Sequence, residues 1–524
     1  MKRSIIFIII LLLSFFAFPS VSFAWIDQFN SSASVVIGQV DFVHGSVNQG
    51  LSINVNTLSF PRIASVDSGK IVIADRSNNR VLIFNSIPTA NNASANVVIG
   101  QQDFTHGIAD QGLTVDANTL DFGSRRPDVS YAGSKVFIAD SNNARVLIYN
   151  SLPVLNNVSA DVVVGKSNFT TTSCTPLSAS CTSNSYGVFS DGTKLFVADT
   201  LAARVLIYNS VPTTDNAPAD LVLGQSDFST STPGCSQSKF NNPIGVYYDG
   251  TRLYVSDWSN NRVLIWNHLP TSNGQPADVV VGQTDFDSCA ANQGGGIGPN
   301  TLSAPHHATW SDGQKLVIAD YGNNRVLIYR SIPTANNASA DAVIGQVDFN
   351  HGLANQGNAN PDANTFNAPD GVRVYGNRMF VAEVSNNRVT IFNTGPENPL
   401  ALINLGAPTT TEHHVNLTLS AEGAYEMMIS NNASFSGASW ESYAATKEWD
   451  LESGNSLKTV YIKFRDFAHF ESEVVSASIE LPSSAISTEL PVTGSNIPYY
   501  LISIISAYLL ALLALATRSR AGTR

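Results

Sequence analysis

One short pattern recurs six times along the chain and constrains its fold more than any other feature. It reads IVIADRSNNRVLIFN at 71–85 and returns at 136–150, 195–209, 253–267, 316–330 and 379–393. A second pattern, VVIGQVDF at 35–42, recurs in step with it at 97–104, 162–169, 221–228, 279–286 and 342–349. A fixed period of about 60 residues indicates repeated supersecondary units that pack against their neighbours.

Each copy of the repeat predicts four short strands. In the fourth copy, β-branched runs separated by turn residues predict strands at 244–248, 253–256, 262–266 and 278–281. Four strands make one blade of a β-propeller, so the predicted fold class is all-β with six blades. The last copy ends after its third strand at Asn393, and the first VVIGQ strand has no blade before it. We therefore expect the N-terminal strand to complete blade six, because an incomplete blade would leave an open sheet edge.

The repeat resembles the NHL repeat, which builds six-bladed β-propellers. The NHL consensus combines a Pro-x-Gly-Val strand, a DG turn, a YVAD strand and an NRV strand. These parts are matched almost letter for letter at 243–246, 249–250, 254–257 and 261–263. The resemblance implies a propeller over residues 25–395 and says little about activity, because one fold carries many functions.

The segment 396–482 breaks the repeat period. Polar and apolar residues alternate at 415–420, 425–429 and 459–464. This pattern predicts a β-sandwich of the immunoglobulin or fibronectin-III type that acts as a spacer. A short linker, 483–489, follows it.

The N-terminal segment 1–24 predicts export. It has a basic start, an apolar run from 5 to 18 and a small-x-small ending at Ala24. These features are typical of a secretory signal peptide cleaved after Ala24. An uncleaved membrane helix is the alternative.

The C-terminal segment 490–524 predicts anchoring. It contains an LPVTG pentapeptide with Leu490, Pro491, Thr493 and Gly494, then an apolar stretch at 497–516, then a basic tail. The apolar stretch is long enough to span a bilayer as one transmembrane helix, and the basic tail favours the cytoplasmic side. The three parts in this order resemble the sorting signal of sortase-anchored bacterial surface proteins. That resemblance implies a transpeptidase that cuts between Thr493 and Gly494, and a plain single-span anchor is the alternative.

The charge balance argues against nucleic acid as a partner. The chain holds 29 Lys and Arg against 41 Asp and Glu, and five of the basic residues lie in 1–24 and 494–524. Such an acidic body repels phosphate backbones. We expect a monomer whose partners are an extracellular protein or glycan, a sortase-type transpeptidase and the membrane.

Each copy of the main pattern holds an acidic residue five positions before its arginine. The pairs are Asp75/Arg80, Asp140/Arg145, Asp199/Arg204, Asp257/Arg262, Asp320/Arg325 and Glu383/Arg388. They flank the turn between the second and third strands, so each pair can hold its own turn as a structural blade pair. The alternative is a ring of six carboxylates that binds cations.

One face of the propeller carries the longest insertions. Because strands alternate in direction, the second-to-third turns and the fourth-to-first connections lie on the same face, here called the long-loop face. All four cysteines fall in its insertions. Of three possible pairings, the simplest joins Cys174 to Cys181 and Cys235 to Cys289. We expect structural disulfides, with a metal or redox site as the alternative.

In each copy, the residue that follows the proline of the first strand points toward the central channel. The third copy has Ser185 in place of this proline. These residues are Arg62, Asp128, Tyr186, Ile244, His306 and Asp370, and His307 follows His306. A guanidinium, carboxylates and an imidazole around one funnel suit a sugar, a peptide or a metal. Neighbouring strand residues point to opposite sides, so we expect only one of the two histidines to face the channel.

These features predict an envelope-anchored binding module that recognises a protein or glycan through its long-loop face. We expect no cofactor and no catalytic residue, because the sequence lacks the common hydrolase and nucleotide-site signatures. The scaffold also resembles propeller lactonases and peptide-amidating lyases, which implies a metal-dependent enzyme with Ca²⁺ or Zn²⁺ in the channel as one alternative. A structural surface-layer component is another.

Overall fold

The computed structural model describes residues 32–307 and 309–482. The predicted signal peptide 1–24 with Ala24, the linker 483–489 and the sorting segment 490–524 lie outside the described residues. The sorting segment includes the stretch 497–516 and the residues Leu490, Pro491, Thr493 and Gly494. Among residues 32–307 and 309–482, no helix is long and apolar enough to cross a bilayer.

Residues 35–393 form six antiparallel sheets of four strands each. The first sheet contains β2 (Pro61–Asp67), β3 (Lys70–Asp75), β4 (Arg80–Phe84) and β5 (Val97–Ile99), and the second contains β6 (Val129–Ala132), β7 (Lys135–Asp140), β8 (Arg145–Tyr149) and β9 (Val162–Val164). The third contains β10 (Ser185–Ser190), β11 (Leu195–Asp199), β12 (Arg204–Tyr208) and β13 (Leu221–Leu223), and the fourth contains β14 (Pro243–Tyr248), β15 (Leu253–Asp257), β16 (Arg262–Trp266) and β17 (Val279–Val281). The fifth contains β18 (Thr309–Ser311), β19 (Leu316–Asp320), β20 (Arg325–Tyr329) and β21 (Ala342–Ile344), and the sixth contains β22 (Pro369–Tyr375), β23 (Arg378–Glu383), β24 (Arg388–Asn393) and β1 (Val35–Ile37).

The six sheets are arranged in a closed ring. Their first strands contact one another in cyclic order, from β2 through β6, β10, β14 and β18 to β22 and back to β2. Such a ring of radial sheets around a central channel is a β-propeller. Neighbouring sheets cover each other's faces, so the third strands are buried along their length and carry apolar runs on both faces.

The N-terminal strand completes the sixth sheet, as the sequence predicts. β1 pairs with β24, with Val35 opposite Ile391 and Ile37 opposite Val389. The chain therefore covers an edge that would otherwise be open to pairing with another strand.

A second set of contacts ties neighbouring sheets at their outer strands. In five sheets, an Asn or Asp of the third-to-fourth turn accepts a hydrogen bond from an outer-strand N–H of the preceding sheet. These acceptors and donors are Asn91 and Val36, Asn156 and Val98, Asp215 and Val163, Asn273 and Val222, and Asn336 and Val280. The turns on the face opposite the long loops thus link the sheets.

Short 3₁₀ helices mark the connections. Four begin directly after a second strand, at Arg76–Asn78, Thr200–Ala202, Trp258–Asn260 and Tyr321–Asn323, and four lie in long loops, at Val47–Gly50, Ala109–Gly112, Ala291–Gly294 and Ala354–Gly357. The glycine of the VVIGQ pattern turns the chain into these loops. At Gly100, φ is 84° and a Cβ would lie 2.4 Å from Leu120 Cδ1, so only glycine fits.

Residues 397–481 form a second unit of two sheets. One contains β25 (Glu397–Ile403), β26 (His414–Glu422) and β29 (Thr446–Asp450), and the other contains β27 (Glu426–Ser430), β28 (Glu441–Ser442), β30 (Ser456–Arg465) and β31 (Val475–Leu481), with a 3₁₀ helix at Asn404–Gly406. Alternate residues of both sheets, among them Leu417 and Ile462, share one buried apolar cluster. The unit is a β-sandwich, and its immunoglobulin or fibronectin-III type stays a prediction.

The sandwich contacts the propeller through the loop between β30 and β31. Phe470 belongs to a buried cluster that contains residues of the fifth and sixth sheets, and Lys315 Nζ lies 5.5 Å from its ring centroid. The buried carboxylate of Asp466 accepts hydrogen bonds from the N–H groups of Phe470 and Gly395, at 2.9 and 3.3 Å. The loop is therefore tied to the connection that leaves the propeller.

Candidate binding site at the channel mouth

Six buried ion pairs, here called the clamp pairs, fix the long-loop face. In each of the six predicted acid–arginine pairs, arginine Nε lies 2.7–2.9 Å from a carboxylate oxygen. The rest of the guanidinium binds loop carbonyls, as Arg262 does with those of Phe286, Ser236 and Lys239. The other five arginines repeat this arrangement and donate to the carbonyls of Phe42, Phe104, Phe169, Phe228 and Phe349. The carboxylates thus face arginines rather than a common cation site.

Two sets of repeat-related positions surround the channel mouth and differ from copy to copy. The first set begins the inner strands and consists of Arg62, Asp128, Tyr186, Ile244, His306 and Asp370. The second set directly follows the clamp carboxylates and consists of Arg76, Ser141, Thr200, Trp258, Tyr321 and Val384. Both sets lie at the long-loop face, because the first strands begin there and the second strands end there. A framework that is almost the same in every copy therefore carries a different residue from each copy in the second set, and five residue types in the first set, where Asp128 and Asp370 are alike.

Asp370 is the centre of the polar cluster inside the mouth. Arg62 Nη1 donates to its Oδ2. His307 Nδ1 lies 2.7 Å from Oδ1 and His306 Nδ1 lies 3.4 Å from Oδ2. All four side chains are buried. Three predicted residues, Arg62, His306 and Asp370, thus meet although they come from three copies of the repeat.

The expectation that only one histidine faces the channel is wrong. Both imidazoles reach Asp370, and His307 Nε2 also lies 3.2 Å from the carbonyl oxygen of Tyr186. The reason is that β18 begins only at Thr309, so the alternation of strand side chains does not apply to residues 306 and 307.

The other predicted channel residues do not bind Asp370. Asp128 accepts hydrogen bonds from the N–H groups of Val129 and Val188, at 2.8 and 3.0 Å, and so joins the second and third sheets. The hydroxyl of Tyr186 accepts a hydrogen bond from Arg125 at 3.2 Å. Ile244 is buried in the fourth sheet.

An array of rings lies next to this cluster. The guanidinium carbon of Arg126 lies 3.9 Å from the ring centroid of Trp258. Trp258 meets His306 edge-on at 5.5 Å, and His306 stacks on Tyr321 at 3.7 Å. The mouth therefore combines arginine and aromatic side chains, with the Asp370 carboxylate at its base.

Sequence reasoning missed four residues of this mouth, namely Arg76, Arg126, Trp258 and Tyr321. A signal existed for three of them, because each directly follows a clamp carboxylate and differs from its counterparts in the other copies. Arg126 lies in a long loop and has no such marker.

The protonation states follow from burial and charge. Burial lowers the pKa of His306 to about 4, so its imidazole is neutral at physiological pH. Burial also lowers the pKa of His307, but Asp128 and Asp370 outweigh this effect and raise it above its usual value. Burial raises the pKa of Asp370, yet Arg62 and the two imidazoles hold it well below its usual range.

The mouth does not fit the Ca²⁺ or Zn²⁺ site of the enzyme alternative. Both oxygens of Asp370 face Arg62 or an imidazole, and both oxygens of Asp128 accept backbone N–H groups. A cation would have to replace a guanidinium already bound to the same carboxylate. Within 32–307 and 309–482, no group of three or more His, Cys, Asp or Glu residues is placed to hold a metal ion.

All four cysteines form disulfides within the long loops. Cys174 pairs with Cys181 and Cys235 with Cys289, with Cα atoms 5.7 and 6.4 Å apart. This is the simplest of the three possible pairings. The second bridge joins two neighbouring loops of the long-loop face.

A second concave feature lies at the other end of the channel. It is a cavity of about 290 Å³ lined by Tyr131, Phe189, Tyr247, Trp310 and Arg373, among others. Arg373 is held there by the carbonyls of Thr309 and Val372, at 2.9 and 2.8 Å. None of the predicted site residues lines this cavity.

Comparison with known proteins identifies no family. No family model matches the chain. No curated protein matches it either. The NHL assignment therefore stays a prediction.

Several solved structures are similar in fold at low sequence identity. BamB from Moraxella catarrhalis is 12% identical over 69% of this chain and 96% of its own, with a TM-score of 0.31. The extracellular domain of a putative one component system from B. thetaiotaomicron is 10% identical over 85% of this chain and 60% of its own, with a TM-score of 0.34. A protein of unknown function from Bacteroides thetaiotaomicron is 12% identical over 69% of this chain and 75% of its own, with a TM-score of 0.38. These likenesses carry no argument about function.

Proposed function

We propose that the protein is an extracellular binding module, anchored to the cell envelope, that recognises a protein or glycan through its long-loop face. In this proposal the six sheets are the blades of an NHL-type propeller, and the sandwich is an Ig-like spacer. One observation carries the proposal. The clamp pairs are the same in each copy apart from Glu383, whereas the residues they present at the mouth differ in chemistry. Repetition serves the fold, so divergence at matched positions around the channel mouth, three of which are half-buried (Arg76, Trp258 and Tyr321), favours recognition.

The extracellular address rests on independent features. The sequence patterns of 1–24 and 490–524 support export and anchoring. The two disulfides support an oxidising compartment, because such bonds rarely persist in a reducing cytosol.

Binding can be tested with a matched pair of surface variants. Leu201 lies in the second-to-third turn of the third sheet, on the long-loop face, and is 52% exposed, whereas Leu155 lies on the opposite face and is 69% exposed. The full chain and its Leu201→Asp and Leu155→Asp variants would be applied to a glycan array and to envelope-extract pull-downs. We expect Leu201→Asp alone to weaken retention of the ligand. Equal retention by both variants would argue against the long-loop face.

Anchoring has its own test. We expect Thr493→Ala to leave the chain extractable from cells by detergent, whereas the unchanged chain stays covalently linked to the envelope. Detergent extraction of both forms to the same extent would favour a plain membrane anchor over sorting by a transpeptidase.

The remaining alternatives have distinct signatures. A full chain that assembles into regular arrays without retaining a ligand would favour a surface-layer component. A tightly held divalent cation that is lost on Asp370→Ala would favour the metal-dependent enzyme.

A further inference from the structure

The channel mouth concentrates positive charge in an acidic protein. Arg62, Arg76 and Arg126 converge there, and the carboxylate of Asp370 is the ion-pair partner of Arg62. Within the described residues, neither Arg76 nor Arg126 forms an ion pair with a carboxylate. From this geometry we propose that the mouth binds a saccharide through one compact anionic group, a carboxylate or a phosphate. The inference rests on the proposed binding function and specifies its ligand.

The arginines at the mouth differ from those of the clamp pairs. Each clamp arginine binds a carboxylate and three loop carbonyls, so its donors are used within the fold. Arg126 instead stacks on Trp258, and its buried Nε has no hydrogen-bond partner. The buried Nε of Arg62 also lacks a partner. Buried donors without acceptors are costly, and an anionic ligand would supply the acceptors.

A buried histidine adds a third unpartnered atom. His306 is fully buried, and its Nε2 has no hydrogen-bond partner although Nδ1 faces Asp370. Its ring lies between Trp258 and Tyr321. Because Nδ1 faces the ionised carboxylate of Asp370, it carries the one ring proton, so Nε2 can accept a hydrogen bond from a ligand hydroxyl near the arginines.

Repulsion among the arginine side chains of the mouth favours binding of an anionic ligand there. Burial and the charges of Arg62 and Arg126 together lower the pKa of Arg76 to about 10, and the charge of Asp370 offsets only part of this effect. Burial and the charge of Arg62 lower the pKa of Arg126 as well. An added carboxylate or phosphate would relieve the repulsion between these guanidinium groups.

The residues around these arginines favour a ligand that has one small charged group on an otherwise neutral body. Two half-buried rings, Trp258 and Tyr321, stand beside the arginines and offer apolar edges for a sugar ring. The protein as a whole carries a formal net charge of −12, which repels long polyanions from the rim. A sugar with one acidic group therefore fits better than a nucleic acid or a densely sulfated chain.

Calorimetric titration of the full chain can test the inference. The carboxylate probes are galacturonic acid and its methyl ester, and the phosphate probes are mannose 6-phosphate and mannose. We expect an acidic probe to bind and its neutral counterpart to bind at least about tenfold more weakly, because each charge-assisted hydrogen bond adds more than a neutral one. Binding of the galacturonic acid probe would identify the anionic group as a carboxylate, and binding of mannose 6-phosphate would identify it as a phosphate. Lack of binding by both acidic probes at millimolar concentration would overturn the inference.

The variants Arg76→Ala/Arg126→Ala and Arg126→Lys locate the site, and Arg378→Ala on the opposite face is the control. We expect the double variant to lose at least about tenfold in affinity, Arg126→Lys to lose less, and the control to bind like the unchanged chain. Equal affinity of the double variant and the control would overturn the inference. If the double variant also keeps its ligand in the envelope pull-down, the proposed binding function stands without the anionic site.

Discussion

In each sheet, one buried arginine binds the long loops and holds them in place. Arg262 is fully buried and binds the carboxylate of Asp257 together with three loop carbonyls. No other side chain offers a planar cation with enough donors for this arrangement. The same geometry explains why arginine recurs at this position in every copy.

The clamp predicts a large loss of stability on truncation. We expect Arg262→Ala to lower the free energy of unfolding by about 3–5 kcal/mol, because Asp257 would stay buried without its cation. Urea unfolding of the full chain measures this. Arg378→Ala is the control and should change the free energy of unfolding by no more than about 0.5 kcal/mol. A loss for Arg262→Ala no larger than that of the control would contradict the clamp role.

His307, which is buried beside Asp370, should make the free energy of unfolding depend on pH. The folded protein raises the pKa of His307, so the stabilisation from its charged form is complete below about pH 6.5 and disappears as pH rises through the folded pKa. We expect the free energy of unfolding to fall over that range, and the fall to be smaller in Asp370→Asn. Unfolding curves at several pH values, with NMR titration of the imidazole, check this. An unchanged titration of His307 in Asp370→Asn would refute it.

At the scale of elements, the closing strand is the feature that the sequence predicts best. The N-terminal VVIGQ strand has no blade before it, and the last copy of the repeat lacks a fourth strand. Counting the strands therefore predicts that the first fills the place of the second. The six sheets follow from the same count, because each copy carries its own four strands. The sandwich was predictable from alternation, since one face of each of its sheets is buried.

The site was only partly predictable. Arg62, His306 and Asp370 could be identified because each directly follows the proline of a predicted first strand. Their meeting point could not be derived, because Arg62 and Asp370 are 308 positions apart and touch only when the ring closes. The histidine pair was misjudged because a strand was expected to begin earlier than Thr309.

The closing strand can be tested by placing a charge in it. Val36 is fully buried, pairs with Thr390 and donates to Asn91. We expect Val36→Asp to cost several kcal/mol, because the buried carboxylate has no partner, and to promote association through the exposed edge of β24.

Thermal unfolding and light scattering measure both effects. Val154→Asp is the control, since Val154 is 78% exposed. If the two variants unfold at the same temperature and scatter alike, β1 is not needed to close the ring.

At the scale of the whole molecule, the propeller and the sandwich meet through a titratable group. Burial raises the pKa of Asp466 to about 7 from an ordinary value of 3.8. Its protonated form therefore stabilises the folded state most below about pH 4, and this contribution is lost as pH rises toward 7. We expect Asp466→Asn to flatten the decline in melting temperature between these pH values.

Scanning calorimetry of the full chain at pH 4, 5.5 and 7 makes this measurement, with a Glu452→Gln variant as the control, because Glu452 is an exposed residue of the sandwich. If Asp466→Asn and the control follow the same pH profile as the unchanged chain, Asp466 does not control the junction.

The clamp pairs separate the support of the mouth from its chemistry. The residue that follows each clamp carboxylate can change from arginine to serine, threonine, tryptophan, tyrosine or valine while the ion pair beside it persists. Selection, or a protein engineer, could therefore change the ligand preference at the half-buried positions of this set, Arg76, Trp258 and Tyr321, without changing the ion pairs that support them.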